Sequence, residues 1–148
     1  MGDVSEDRAD VVAEARAWLG TSYHHAADIK GVGVDCAMLL LRVFCDLGLV
    51  EPFDPRPYSP DWMMHRSEEK FLNILLAHAH EVAAPEPGDV MIFRMGRCFS
   101  HGGIVTVVDP LTIIHAFLPV GIVLEEDITK NAQLAVRRRE AIFASYWP

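Results

Sequence analysis

One cysteine stands at a position in this sequence that would suit a nucleophile. Cys36 follows Asp35 and precedes the apolar run 37–41. Asp35 is a good helix N-cap residue, because its carboxylate can accept the free backbone N–H groups of the first turn. Cys36 would then open a helix, where the helix dipole favours the thiolate, so we expect its thiol to ionise more easily than a free cysteine. Taken alone, Cys36 is equally compatible with a small buried apolar residue.

His101 and His115 are the candidates for the groups that a cysteine nucleophile needs. Such a thiol requires a base, and the base requires a third group that holds its ring. His101 stands at the start of a predicted strand, before Gly102-Gly103, whose lack of side chains would let a substrate backbone approach. His115 lies in the next predicted strand. The alternative for each histidine is a polar residue at a strand end.

The loop between these two strands decides whether the histidines can meet. If the strands 102–108 and 112–117 form a hairpin, a loop with an odd number of residues, such as 108–110, puts both histidines on one face. They would then be diagonal neighbours, roughly 7–8 Å apart between backbones. A loop with an even number would put them on opposite faces. We predict that both lie on one face and point at the start of the Cys36 helix.

The elements that position these residues fall into two groups. Helices are predicted for residues 6–19, for 36 to about 47, ending at Gly48, and for about 67–80. The connection 49–66 holds four prolines and is predicted to be irregular. Short β-type runs follow, separated by turn signals. They are residues 89–94, 102–108, 112–117, 121–125 and 134–139. Helices first and strands second predict an α+β fold, with N-terminal helices packed on a C-terminal antiparallel sheet.

Length, composition and charge narrow the class of protein. The 148 residues are 51% hydrophobic, which predicts a single globular domain over 1–148. The net charge of −8 and the lack of a basic patch argue against a nucleic-acid partner. No run approaches the roughly 18 apolar residues of a membrane span. The acidic start, with Asp3, Glu6 and Asp7, is unlike a secretory signal, so we expect a cytoplasmic protein as synthesised.

The three cysteines are predicted to be free thiols. Cys36 and Cys45 would lie on one helix, about 13.5 Å apart at about 1.5 Å per residue, too far for a disulfide. Cys45 and Cys98 are expected to be structural. Cys36, His101 and His115 are also zinc-ligand types, but no fourth ligand is apparent, so no metal or cofactor is predicted.

Several motifs, in this order, resemble the NlpC-type (NlpC/p-sixty) cysteine peptidases, a papain-like family with a Cys-His-His triad. The resemblance covers about residues 6–145. Two stretches, residues 31–36 and 93–97, look most like the branch found in tail modules of phages and phage-like particles. The motifs are Gly20-Thr21-Ser22-Tyr23, Asp35-Cys36, Pro87-Gly88-Asp89-Val90, Ser100-His101-Gly102-Gly103-Ile104-Val105 and Ile114-His115-Ala116.

By position, the resemblance implies that Cys36 is the nucleophile, His101 the base and His115 the residue that orients His101. Tyr23 matches a tyrosine near the family's active site, where its hydroxyl would help the backbone N–H of Cys36 to bind an oxyanion. The alternative for Tyr23 is a half-buried loop aromatic.

Asp35 matches the aspartate that precedes the family's cysteine, and the resemblance places it with Tyr23 in the oxyanion or substrate-binding part of the site, although its cap role needs no catalysis. The sequence departs from the family pattern after the cysteine, where a small pair such as Ser-Gly is usual and Ala37-Met38 stands here. Met38 would either narrow a substrate subsite or pack.

The implied function is thiol-dependent cleavage of peptidoglycan stem peptides through an acyl-enzyme, near the D-glutamyl–diamino acid bond. A phage-type enzyme, delivered to the wall with tail proteins, would open the wall locally. Two alternatives stay open. One is a structural tail-assembly domain that does not need the chemistry, and the other is a thiol amidase or acyltransferase with another substrate.

Overall fold

The structure, a computed structural model, describes residues 4–58 and 70–148. Helices dominate the first part of the described chain and strands the second. The helices are α1 (Val4–Ala17), α2 (Cys36–Asp46), α3 (Lys70–Leu76) and α4 (Ala132–Ala135), with a 3-10 turn at Ile128–Lys130. The strands are β1 (Asp28–Ile29), β2 (Gly33–Val34), β3 (His80–Val82), β4 (Val90–Met95), β5 (Cys98–Val107), β6 (Thr112–Phe117), β7 (Ile122–Asp127) and β8 (Ile142–Ser145).

The described strands form two antiparallel sheets. β1 and β2 pair as a short hairpin that leads into α2. The other six form one sheet in the order β3-β8-β4-β5-β6-β7. Helices packed on an antiparallel sheet confirm the predicted α+β class. No helix of the described residues is long and apolar enough to span a bilayer.

Both faces of the large sheet are buried, and the alternation of side chains assigns each residue to one face. The first face packs against α1, α2 and α3, and the second packs against the 3-10 turn Ile128–Lys130 and α4. From the sheet, the first core takes Val90, Ile92, Ile104, Ile114, Ala116, Val123 and Ala144. The second takes Met91, Phe93, Val105, Ile113, Phe117 and Phe143, together with Ile128 and Leu134.

Helix α2 begins and ends where its sequence predicts. Asp35 caps it in an extended conformation, and its carboxylate accepts the N–H of Met38 at 2.9 Å. At the other end Gly48 has a φ of +75°, the left-handed conformation typical of the residue after a helix. The Met38 side chain is 1% exposed and belongs to the first core, so it packs.

Two sequence predictions about elements are wrong. No strand forms at 134–139: α4 covers the first two of these residues and a turn the rest, because the side chain of Asn131 accepts the N–H groups of Gln133 and Leu134 and starts a helical turn. The third helix ends at Leu76 rather than near His80, which instead begins β3 and pairs with β8. Residues 59–69 of the predicted connection and helix lie outside the described residues.

Candidate active site

His101 and His115 lie on one face of the sheet, as predicted, but not because of the loop. That both point at the start of the Cys36 helix stays a prediction. β5 ends at Val107 and β6 begins at Thr112, so the loop 108–111 has an even number of residues. The β5–β6 register shifts around Thr106, which is an extra residue on one strand. This bulge restores the parity that an even loop would have reversed. His101 itself lies inside β5, which begins three residues earlier than His101, rather than at a strand start.

The two imidazoles form a buried, hydrogen-bonded pair. Nε2 of His101 is 2.8 Å from Nδ1 of His115, and the residues are 7% and 0% exposed. The rings of Phe93 and Phe117 pack on His101, with centroids 6.0 and 5.6 Å away. A protonated imidazole would lose its hydration here, so burial, and then the charge of His115, lower the pKa of His101 well below its ordinary value.

Glu126 holds the far side of His115. Its Oε2 accepts from Nε2 of His115 at 2.6 Å and from the side-chain amide of Asn131 at 3.1 Å. The hydrogen bond from His115 is the main cause that lowers the pKa of Glu126. No motif marked Glu126 in the sequence. The signal that would have found it is the parity of the next hairpin, in which His115 pairs with Leu124 and Glu126 falls on the same face.

Cys36 meets the backbone of β5 on either side of His101. Ser100 is the extra residue of a second β-bulge, between the pairs Phe93–His101 and Arg94–Phe99. The thiol of Cys36 donates to the Ser100 carbonyl oxygen, with Sγ 3.6 Å from it, and the backbone N–H of Gly102 also interacts with the sulfur. The hydrogen bond of the thiol thus goes to a carbonyl rather than to an imidazole nitrogen.

Burial reverses the ionisation predicted for Cys36. Loss of water, and then the charge of Asp35, raise the pKa of the thiol to about 12. The N–H groups of Ala37, Gly102 and Cys36 itself lower it, but they do not compensate. The prediction of an easily ionised thiol is therefore wrong, because the helix start contributes less than desolvation costs. Cys36 and His101 are both uncharged at neutral pH.

Asp35 is a buried cap with three donors. Besides the N–H of Met38, its carboxylate accepts the N–H of Ala26 at 2.8 Å and the hydroxyl of Tyr58. Nδ1 of His25 is 3.9 Å from the same carboxylate. The predicted cap role of Asp35 is confirmed. Tyr58, which comes from the proline-rich connection, had no local signal in the sequence, because a contact made through chain reversal leaves no periodic pattern.

Tyr23 is half-buried near the start of α2. Its backbone N–H donates to the Gly121 carbonyl at 2.8 Å, which ties this loop to the β6–β7 hairpin. Burial, and then repulsion from a Cys36 thiolate and from Asp35, raise the pKa of its hydroxyl. The backbone of Tyr23 forms an isolated β-bridge with Val34, two residues before Cys36, and the part of Tyr23 in an oxyanion site stays a prediction.

Gly102 and Gly103 admit neighbouring protein atoms. A Cβ at Gly103 would lie 2.9 Å from the Ile114 carbonyl oxygen and 3.0 Å from Cβ of His115. A Cβ at Gly102 would lie 3.1 Å from Leu40 of α2. These glycines let a helix and a histidine approach β5, so the space expected for a substrate backbone is taken by the protein.

The remaining candidates do not form a second site. Cys45 and Cys98 are buried free thiols. Across residues 4–58 and 70–148, no group of three His, Cys, Asp or Glu side chains is arranged to hold a metal ion. A zinc site on Cys36, His101 and His115 therefore has no support in this geometry.

Comparison with known proteins establishes the fold. No family model and no curated protein matches the chain. Among solved structures, the NlpC/p60 domain of the peptidoglycan hydrolase SagA matches with a TM-score of 0.60 at 20% identity, over 93% of this chain and 96% of that one. NlpC2 from Trichomonas vaginalis matches with a TM-score of 0.67 at 18% identity, over 100% of this chain and 49% of that one.

Two further solved structures also match the fold of this chain. NlpC1 from Trichomonas vaginalis has a TM-score of 0.62 at 17% identity, over 88% of this chain and 42% of that one. This chain thus spans less than half the length of each of the two Trichomonas proteins. An N-acetylmuramoyl-L-alanine amidase from Bacteroides uniformis has a TM-score of 0.53 at 12% identity, over 82% of this chain and 89% of that one. The predicted papain-like α+β fold is confirmed, with NlpC/p60 domains among its structural neighbours.

Proposed function

We propose that this protein is a thiol-dependent peptidase that cleaves peptidoglycan stem peptides through an acyl-enzyme. One observation carries the proposal: the Cys36 thiol lies against the backbone that flanks His101, and His101 is hydrogen-bonded to His115. Nucleophile, base and orienting group are the three parts that amide hydrolysis by a thiol needs. The SagA domain, described as a peptidoglycan hydrolase, supports a wall peptide as the substrate.

Because Cys36 and His101 are both uncharged at rest, the thiol proton must move to His101 during the attack on the substrate. Because the pKa of Cys36 is raised and that of His101 is lowered, the resting pair is a thiol and a neutral imidazole. His101 accepts the thiol proton as sulfur attacks the scissile carbonyl, and gives it to the amine, whose departure leaves a thioester on Cys36. His101 then takes a proton from the water that attacks the thioester, and returns it to the sulfur of Cys36 as the acyl group leaves as a carboxylic acid. His115 stabilises the imidazolium in both halves.

Tyr23 and the backbone N–H of Cys36 are proposed to bind the oxyanion. A hydroxyl donor of this kind acts on charge that develops only in the transition state, so Tyr23→Phe should lower kcat by about tenfold or more and leave KM nearly unchanged. An unchanged kcat would leave Tyr23 as a packing aromatic.

The D-glutamyl–diamino acid bond is the proposed site of cleavage, and the Bacteroides amidase supports a second candidate, the amide that joins the glycan to the stem peptide. Purified peptidoglycan would be incubated with the protein and with Cys36→Ala, and the products identified by mass spectrometry. A new amino terminus on the diamino acid supports the peptidase, and intact released stem peptides support the amidase. Folded protein with no Cys36-dependent product would contradict both and favour a structural domain.

Association with a phage-like tail is also proposed, for one domain over 1–148, and it rests on the stretches 31–36 and 93–97. Tail-like particles from the producing cells would be separated on a density gradient and probed for this chain. We expect it to sediment with the particles. Recovery only in the unsedimented fraction would contradict the association.

A further inference from the structure

We infer that Glu126 is a positioning residue, which fixes the proton on each imidazole of the pair so that His101 offers an unprotonated Nδ1. This deepens the proposed function and rests on it. The inference comes from a chain of contacts that runs from the side-chain amide of Asn131 through Glu126 and His115 to His101.

The carboxylate of Glu126 determines which nitrogen of His115 carries the hydrogen. Glu126 accepts from His115 Nε2 at 2.6 Å, and the amide of Asn131 donates to the same oxygen at 3.1 Å. An ionised carboxylate has no proton to donate, so the hydrogen between Glu126 and His115 must sit on Nε2 of the imidazole. The lowered pKa of Glu126 keeps it ionised at neutral pH.

The position of the hydrogen on His115 then determines its position on His101. A neutral His115 that carries its hydrogen on Nε2 has a lone pair on Nδ1, which lies 2.8 Å from Nε2 of His101. Nε2 of His101 must then be the donor, which leaves Nδ1 of His101 with a lone pair. This tautomer of His101 is the one that can accept a proton at the nitrogen not used by His115.

An amide in place of the carboxylate would remove this constraint. A glutamine side chain can donate as well as accept. If its NH2 group faced Nε2 of His115, both imidazoles would reverse, and His101 would carry its proton on Nδ1. Charge and an acceptor-only side chain, rather than size, are therefore what position 126 contributes.

The neighbouring Glu125 provides a matched control. It lies on the same strand but on the opposite face, where it pairs with Arg16 at 3.0 Å and accepts from Thr106 at 2.7 Å. Neither partner touches a histidine of the pair. Glu125→Gln thus makes the same chemical change one residue away, in a glutamate whose partners are Arg16 and Thr106.

Nitrogen-15 NMR of histidine-labelled protein tests the inference without substrate. The wild type and Glu125→Gln should carry the proton on Nε2 of both His101 and His115 at neutral pH. Glu126→Gln should mix or reverse these tautomers. A proton on Nδ1 of either residue in the wild type, or unchanged tautomers in Glu126→Gln, would overturn the inference. The wild-type spectrum decides even if Glu126→Gln fails to fold.

Kinetics supply the second readout. Glu126→Gln should lower kcat by about ten- to a hundredfold with KM within about twofold, and Glu126→Asp, which keeps the carboxylate, should recover most of the loss. Glu125→Gln should stay within about twofold of the wild type. An equal loss of kcat in the Glu125 and Glu126 variants would overturn the inference. If the wild type cleaves no peptidoglycan but shows the expected tautomers, the proposed function fails and the positioning role of Glu126 stands.

Discussion

Nε2 of His101 and Nδ1 of His115 are 2.8 Å apart in a buried site, so the proton on one ring determines the proton on the other. A β-bulge at Thr106 sets this relationship, because it brings two residues of adjacent strands onto one face despite an even loop. The start of α2 brings Cys36 to the same stretch of β5. We therefore expect the pair to act as one base rather than as two independent histidines.

Substitution of the two histidines should be strongly non-additive. We expect His101→Ala and His115→Ala each to lower kcat/KM, His101→Ala by about a thousandfold or more. The double variant should be scarcely worse than His101→Ala, because the loss of the base leaves His115 nothing to orient. Steady-state kinetics on a purified wall peptide measures this. Losses that multiply in the double variant would show that the histidines act separately.

Local sequence patterns predicted the α+β class, while the family resemblance implied the papain-like fold and the roles of Cys36, His101 and His115, which stay predictions; neither predicted the environment of these residues. Cys36 was placed at a helix start by its Asp35 cap, and the histidines by strand alternation. The bulge that aligns the histidines has no sequence pattern of its own, and loop parity alone would have failed. The raised pKa of Cys36 depends on how deeply tertiary packing buries it, which one helix cannot reveal. Tyr58 and Glu126 reach the site through chain reversals.

The free energy of unfolding should fall on acidification because His101 is buried in its neutral form. Its pKa is lowered on folding, so the unfolded chain takes up this proton first as the pH falls through about 6.5. The stabilising contribution is complete above that pH and is lost on acidification, by at most about 1.4 kcal/mol per pH unit. Urea unfolding between pH 6.5 and 5 should therefore show a shallower pH dependence for His101→Gln.

Cys36→Ala is the control for that measurement, because a thiol whose pKa is raised to about 12 does not titrate in this range. It should keep the wild-type pH dependence. An equal slope in His101→Gln and the wild type would mean that His101 is not held neutral by burial.

The carboxylate of Asp35 should contribute more to stability than a single cap. Asp35→Ala removes the acceptor for Met38, Ala26 and Tyr58 together. We expect it to lower the free energy of unfolding by at least about 2 kcal/mol, against about 1–2 kcal/mol for Tyr58→Phe, which removes one donor. Urea denaturation of both variants gives the comparison. An Asp35→Ala variant as stable as the wild type would contradict this account of the helix start.

Alkylation of Cys36 should depend on pH as that of a protonated thiol does. With its pKa raised, the rate with iodoacetamide should climb steadily from pH 6 to 9 without a plateau at low pH. His101→Ala should leave the rate near pH 6 unchanged, because no ion pair is lost. Peptide mapping would separate Cys36 from Cys45 and Cys98. A plateau near pH 6 that disappears in His101→Ala would instead reveal a resting thiolate–imidazolium pair.

The central claim, that Cys36 is the nucleophile, is tested most directly by the turnover of peptidoglycan fragments by Cys36→Ala. The change removes the hydrogen bond of the thiol to Ser100 and that of the Gly102 N–H to the sulfur, so stability should fall by about 1–2 kcal/mol. Thermal unfolding would verify that the variant is folded. The account predicts a loss of kcat/KM of about a thousandfold or more. A folded variant that still cleaves the wall peptide at the native rate would contradict it.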